Sequence, residues 1–299
     1  MTSTPDPLDP RHAAGVDPSF VRAEVRRFLA EDVGTGDVTT MLVVPPGTRA
    51  AGRIVARQAC VVAGIEVARE VFRQLDGRIV FEGLVGDGAG VEAGAGLVGL
   101  QGPAAPILTG ERTALNLLQR LSGVATVTRR YVDAIAGTGA TVSDTRKTTP
   151  GLRLLEKHAV RLGGGRNHRI GLFDAALIKD NHLVSARGVE RALSSLQAGT
   201  SRVPVQLEVD SLEQLAVALR LGIQAVLLDN MTPDHAAAAV RLVRASPQGA
   251  TCWIEASGGI TLTNIRAYAE AGVDTISVGA LTHSAPSIDL ALDFDSIGT

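Results

Sequence analysis

Aromatic side chains are scarce in this chain: Phe, Tyr and Trp make up 3% of 299 residues. Proteins that hold single-stranded nucleic acid stack bases on such rings beside their basic groups, so the composition argues against that class. An excess of either charge is also missing. Lys and Arg number 29 against 31 Asp and Glu, and the resulting net charge of −2 exerts no general pull on nucleic acid or an anionic membrane. No apolar run approaches about 18 residues, so no segment reads as a membrane-spanning helix. The opening "MTSTPDPLDPRHAAGVD" has Pro, Asp and Thr where a signal peptide needs an apolar core, and residues 1–19 are expected to be a disordered lead-in. Only two cysteines occur, Cys60 and Cys252. They are too far apart for a disulfide framework or a metal-ligand spacing, read as buried packing residues, and suggest a cytoplasmic protein.

What the chain does have is apolar content, 45%, enough for one or two buried cores. From about residue 138 to 284 one rhythm repeats: a short apolar run, a turn, then an amphipathic helix. The apolar runs are "GATVSDT", "AALIKDN", "VPVQLEV", "AVLLDN", "TCWIEASG" and "TISVGAL". Ser211, Thr232 and Thr261 stand at helix N-cap positions, Pro233 suits a first helical turn, and Gly222 and Gly272 follow helix ends. Apolar strands joined by crossover helices make a parallel sheet, and about six in succession predict an incomplete parallel α/β barrel. A doubly wound open sheet is the structural alternative. Residues 50–100 instead alternate apolar and polar positions between Gly-rich turns, around one helix, "IEVAREVFRQL". They predict antiparallel strands in a smaller α+β domain. Residues 107–136 read as a long helix linking the two parts, broken near Ser122 and Gly123.

The six barrel strands end in Arg146 with Lys147; Lys179 with Asp180 and Asn181; Glu208; Asp229 with Asn230; Ser257 with Gly258 and Gly259; and Gly279 with Ala280. In a parallel barrel these ends open on one face, where active sites are built, and six strands ending this way favour an assembled site over ordinary solvated turns. Arg146, Lys147 and Lys179 form a cationic side, and Glu208 and Asp229 an anionic one two strands further round. The last two turns are glycine turns leading toward helix N-termini, suited to a phosphate or to a tight strand-to-helix connection. On "GLRLLEKHAVRLGG" Leu152, Leu155, Ala159 and Leu162 mark the apolar face, and Arg153, Lys157 and Arg161 the solvated one. That leaves Arg146, Lys147, His168 and Arg169, with Arg166 and Lys179 as candidates, for a small acid carrying more than one negative charge.

"DTRKTTPGLR", "GGGRNHRIGL", "DAALIKDNH", "LEVD", "LLDNM", "IEASGGIT" and "ISVGALTHSAPSIDLALDF", with "EDVGTGDVTT" and "GERTALNLLQRLSGVAT" upstream, resemble the quinolinate phosphoribosyltransferase family. The resemblance runs from about residue 20 to the end. It implies an N-terminal α/β sandwich domain with its linking helix over residues 20–125, a barrel over 126–284, and a segment over 285–299 returning to the N-terminal domain. It also implies a homodimer and a pentosyltransferase. The reaction would join quinolinate to phosphoribosyl pyrophosphate with Mg2+, giving nicotinate mononucleotide, pyrophosphate and CO2 for NAD synthesis. By motif, Arg146, Lys147, His168, Arg169 and Lys179 resemble the quinolinate-binding cations, and Arg112 resembles an arginine lent to the neighbouring subunit's pocket. Glu208 and Asp229 match the acidic pair facing ribose and metal. Asn230, Ser257, Gly258, Gly259, Gly279 and Ala280 match the turns that hold phosphoribosyl pyrophosphate.

Lys147, Glu208 and Asp229 are the residues expected to carry the chemistry, the carboxylates by stabilising positive charge at C1 and Lys147 from beside the departing carboxylate. Asp210 and Arg166 depart slightly from the family pattern. Two other readings remain: a Schiff-base barrel enzyme using Lys179, and a repurposed relative of the molybdenum-transport-associated barrels. Residues Glu31 to Thr40 suit a capped turn packed under the barrel mouth.

Overall fold

The structure, a computed structural model, describes residues 15–198, 203–247 and 249–298; most of the expected lead-in lies outside them. In chain order the elements are α1 (Pro18–Val33), α2 (Val38–Val43), β1 (Arg49–Ala56), β2 (Cys60–Val61), α3 (Ile65–Leu75), β3 (Val80–Gly83), β4 (Gly90–Val91), β5 (Gly96–Pro103) and α4 (Ala104–Ala134). These are followed by β6 (Thr141–Ser143), α5 (Arg153–Leu162), β7 (Ala176–Ile178), α6 (Asp180–Ala186), α7 (Val189–Ala198), β8 (Val205–Val209), α8 (Leu212–Arg220), β9 (Ala225–Asp229), α9 (Pro233–Arg244), β10 (Trp253–Ser257), α10 (Ile265–Glu270), β11 (Thr275–Ser277), α11 (Ala280–His283) and β12 (Leu290–Gly298). The chain divides into two compact units. One comprises the described residues of Arg130–Arg153 and Gly165–His283, the other those of Ala14–Arg129, Leu154–Gly164 and Ser284–Thr299.

In the second unit β12, β1, β5 and β3 form an antiparallel sheet in that order, and the C-terminal strand runs beside β1 from Arg49↔Gly298 to Ala56↔Leu290. The α3 helix buries Ile65, Val67, Ala68, Val71 and Phe72, the face its spacing predicts. The α4 helix is continuous through Ser122 and Gly123, contrary to the break expected there. Both residues serve close approach. The Ser122 hydroxyl accepts from the Ala63 N–H, and a Cβ at Gly123 would collide with the Pro286 carbonyl oxygen. Gly123→Ala is therefore expected to destabilise this unit by about 1–3 kcal/mol, measured by thermal or denaturant unfolding; an unchanged midpoint would show that Pro286 yields freely.

The solvated face expected on α5 is corrected. Lys157 is 2% exposed and Glu156 wholly buried, with Glu156 bonded by the Arg120 guanidinium of α4 at 2.7 Å. Arg153 and Arg161, the other two residues of the expected face, are half-buried, so the face is largely covered.

In the first unit six parallel strands lie in the order β6-β11-β10-β9-β8-β7. Every neighbouring pair is consecutive in the chain except that the first strand pairs with the last, through Thr141↔Thr275 and Ser143↔Ser277. That closure belongs to a barrel; a doubly wound sheet instead reverses its strand order at a switch point. The seam lies between β6 and β7. There the segment holding Arg166 makes a parallel bridge to Ser143, its N–H donating to the Val142 carbonyl. Ser211 and Thr232 cap α8 and α9 through Gln214 and His235 N–H groups. Thr261 caps no helix, because α10 begins only at Ile265 and Asn264 instead accepts from the Thr261 N–H. Among the described residues no helix is long and apolar enough to cross a membrane.

Candidate active site

The C-terminal ends of the barrel strands surround one cavity of about 670 Å³. Arg146, Lys147, His168, Arg169, Lys179, Glu208, Asp229, Asn230, Ser257, Gly258, Gly259, Gly279 and Ala280 all line it. For the residues at strand ends the sheet itself does this: parallel register sets Ser257 beside Asp229 and carries Glu208 into the same row as Leu227. The candidate Arg166, and Arg112, expected at a neighbouring subunit's pocket, do not line the cavity. The main chain of Arg166 makes the bridge to β6. Arg112, in the other unit, lines a separate cavity of about 320 Å³ with Asp32, Asp37, Val38 and Thr109. In that cavity Asp37 caps α2 by accepting from the Thr40 N–H and also takes the Thr109 hydroxyl, while Asp32 takes the Thr113 hydroxyl. The capped turn expected over Glu31 to Thr40 is thus present, tied to α4.

The cationic wall is built on a buried carboxylate. Asp144 is wholly buried, accepting from the His168 N–H at 2.9 Å and the Asn167 side-chain amide at 2.6 Å. This pins "RNHR" against "DTRK". Arg169 is then 6% exposed, donating to the Ala175 carbonyl. Burial lowers the pKa of its guanidinium, and the charge of Arg146 lowers it further. Two guanidinium groups close enough to repel form a site that an anion relieves. Arg153, half-buried, braces the same wall by donating to the Thr148 hydroxyl and the Ile170 carbonyl.

The anionic wall touches the cationic one rather than standing two strands away: the Lys179 ammonium donates to Glu208, because β7 and β8 are neighbours. Glu208 is 8% exposed. Burial pushes its carboxyl above the ordinary range, Lys179 pulls it back, and the facing Asp229 and Asp180 push it up again. A second cavity of about 350 Å³ opens on these carboxylates, lined by Asp180, Glu208, Asp210 and Asp229.

The Gly258–Gly259 turn packs against Asn230. This residue is left-handed at φ 53°, donates to Asp229, and lies so close to Gly258 that a Cβ there would overlap its amide oxygen. The helices beyond are short or late: α11 spans Ala280–His283 and α10 starts at Ile265. Turn N–H groups, not helix dipoles, are what this end offers a phosphate.

Sequence reasoning missed several residues. Thr145, Glu255, Ser277 and His283 also line the cavity, and Gln206 and Asp144 stand behind its wall. The available signal was a polar residue inside an apolar strand run, as in "VQLEV" and "WIEAS". Glu255 is 1% exposed.

A barrel with an open seam, cations and carboxylates at its strand ends, defines an α/β-barrel enzyme for an anionic substrate. Residues 37–122 match the model of the quinolinate phosphoribosyl transferase N-terminal domain, and residues 124–293 that of its C-terminal domain. The chain is 46% identical over 277 residues to the carboxylating nicotinate-nucleotide pyrophosphorylase of Mycobacterium leprae, covering 91% of this chain and 96% of that protein. It is 41% identical over 270 residues to a probable enzyme of the same name from Bacillus subtilis, covering 90% and 91%. The solved nicotinate-nucleotide pyrophosphorylase of Francisella tularensis superposes with a TM-score of 0.90 at 40% identity, over 96% of this chain and 100% of that one. The chain belongs to the quinolinate phosphoribosyl transferase family.

Proposed function

We propose that this protein transfers the phosphoribosyl group of phosphoribosyl pyrophosphate to quinolinate with loss of CO2, supplying nicotinate mononucleotide for NAD synthesis. The observation that carries the reading is the single cavity in which Arg146, Lys147, Arg169 and Lys179 meet Glu208 and Asp229. Quinolinate brings two carboxylates to the cations, and each well-placed charge-assisted hydrogen bond contributes about 1.5–3 kcal/mol toward aligning its ring nitrogen. That nitrogen forms a bond to C1 as pyrophosphate leaves with the electron pair of the C1–O bond. Glu208 and Asp229 face the positive charge that develops at C1. The alkylated nitrogen is cationic, so the C–C bond to the 2-carboxylate can break, CO2 leaving and the electron pair staying on the ring carbon until a proton from water replaces it. Lys147 is proposed to stand beside that carboxylate.

Magnesium is part of the proposal. Glu208 and Asp229 would offer it carboxylate oxygens, the donor type this ion prefers. Among the described residues no group of three or more His, Cys, Asp or Glu could hold a metal ion, which fits an ion held by one or two carboxylates plus substrate phosphates and water. When bound, the ion would neutralise charge on the pyrophosphate. A cytoplasmic location is also proposed, since Cys60 and Cys252 are free, buried thiols of the kind a reducing compartment keeps.

The homodimer is supported by α2, where Val38, Met41, Leu42 and Val43 are 67%, 76%, 79% and 69% exposed beside the cavity that holds Arg112. An apolar face of that extent calls for cover, and a second copy is the proposed one. Arg112→Ala and Arg146→Ala proteins should each be inactive. When mixed, half the dimers are hybrids with one intact site, so about a quarter of the activity should return. No recovery from subunits shown to exchange would mean that Arg112 acts within its own chain.

The reading as a whole is tested with quinolinate labelled at the 2-carboxylate. Equal release of labelled CO2 and nicotinate mononucleotide, absent when nicotinate is the acceptor, is the expected result. Neither product from folded protein would refute it and favour a repurposed relative. The Schiff-base alternative needs Lys179 as a nucleophile, whereas its side chain is engaged in an ion pair with Glu208.

A further inference from the structure

At the floor of the cavity lies a carboxylate that the proposed chemistry does not use. Glu255 shares the register row of Leu227 and Glu208, so it faces the same side of the sheet as Glu208, yet it is only 1% exposed. Its Oε2 accepts from Gln206 Nε2 at 2.8 Å and lies 3.4 Å from His168 Nε2. Its Oε1 has no hydrogen-bond partner among the described residues. A buried carboxylate with one bare oxygen is a poor stabiliser of a core, and an apolar side chain of similar size would serve packing better.

What the carboxylate does is dictate direction. An anion only accepts, so the Gln206 amide must turn its NH2 toward Glu255. The carbonyl Oε1 of Gln206 therefore faces His168 Nε2, at 3.3 Å. Two acceptors at that nitrogen require it to carry the proton. The opposite side of the ring agrees: His168 Nδ1 accepts from the Arg169 N–H at 2.8 Å, which needs a lone pair there. Gln206 is thereby oriented from one buried charge, and His168 from that charge on its Nε2 side and from the Arg169 N–H on its Nδ1 side; the three side chains come from β8, β10 and the segment pinned by Asp144.

We propose that Glu255, partly through Gln206, is a positioning residue that holds His168 as the neutral Nε2-protonated tautomer, in one orientation, at the wall of the carboxylate-binding pocket. Both ring nitrogens are then occupied within the protein. The formal charges that meet a dianion come from Arg146, Lys147, Arg169 and Lys179, while His168 supplies a rigid, uncharged surface between them. The part of this that concerns substrate rests on the reading of the cavity as the quinolinate site; the tautomer does not.

The test uses the full chain labelled with 15N in its histidine rings, the His168 signals being assigned by their loss in H168Q. The native protein is expected to show a protonated Nε2 and a bare Nδ1. In Glu255→Gln the amide can present either face, Gln206 is free to turn over, and the His168 signals are expected to become those of mixed tautomers. KM for quinolinate should rise about tenfold, with kcat within about threefold and KM for phosphoribosyl pyrophosphate unchanged. Native-like His168 signals in folded Glu255→Gln overturn the proposal. Should that variant not fold, Gln206→Met keeps the carboxylate and removes the relay; a shifted Nε2 signal with raised quinolinate KM supports it, and both unchanged overturn it. A protein without the transferase activity would contradict the functional reading and leave the ring-nitrogen measurement as decisive as before.

Discussion

Glu208→Gln should lower kcat by about 10²–10³ while leaving KM for quinolinate within a few-fold. The substitution keeps the side-chain volume and removes one negative charge from a site 8% exposed, where electrostatic terms are weakly screened. In the ground state that charge is balanced by the Lys179 ammonium, so its loss should cost binding little. In the transition state pyrophosphate is departing and C1 is gaining positive charge, and a neutral amide cannot supply the missing field. Removing one preorganised group aimed at developing charge costs about this much in other enzymes. The measurement is steady-state turnover with both substrates varied. A Glu208→Gln enzyme with kcat within threefold of the native value would show that the carboxylate acts only as a structural partner of Lys179. Asp229→Asn, whose side chain is half-buried beside Asn230, provides the comparison and should lose less if Glu208 carries most of the effect.

The second large effect is expected at a residue that touches no substrate. Asp144→Ala removes the acceptor of the His168 N–H and of the Asn167 amide, all of it buried. Two buried donors lose this acceptor and a small void opens, for a cost of about 3–5 kcal/mol. At about 2–4 °C per kcal/mol for a chain of this size, Tm should fall by about 6–20 °C. Catalysis should suffer more than stability. His168 and Arg169 reach the cavity only because the preceding segment is held against β6, and misplacement of about 1 Å in such a wall costs about 100-fold in kcat/KM. Differential scanning calorimetry and quinolinate kinetics at a temperature where the variant is folded separate the two losses. If kcat/KM is native in the folded variant, the segment is positioned by its glycine turn and the Arg166 bridge instead.

Much of the barrel and its site was legible in the chain because the relevant information is local. A parallel strand buried on both faces reads as a short apolar run, a crossover helix as a 3.6-residue pattern, and the residue that ends each strand is set by position in the sequence alone. Arg146, Lys179, Glu208, Asp229 and Ser257 could be placed at one mouth on that ground, since every parallel strand points the same way. The caps at Ser211 and Thr232 are equally local and fell where expected.

The misreadings share the opposite property. α4 looked broken at Ser122 and Gly123 because small polar residues weaken a helix in isolation, whereas here they admit Ala63 and Pro286, distant in the chain. Lys157 looked solvated because helical spacing reports which residues share a face and not what covers that face. Gln206 and Glu255 went unread because a strand covered on both sides has no polar face to mark its inward positions, and their partner His168 arrives from a segment with no periodicity.

By itself, then, the amino-acid order determined the repeating strand and helix units, the charge gathered at the strand ends, and the family to which the chain belongs. Tertiary structure alone decided that the first and last strands close on one another, that Lys179 and Glu208 meet, and that a single buried carboxylate sets the direction of the hydrogen bonds behind His168. Local conformational preference acts over a few residues and is written in them. Closure, ion pairing and the orientation of buried polar groups depend on which distant segments are brought within about 3 Å of each other, and only the folded chain does that.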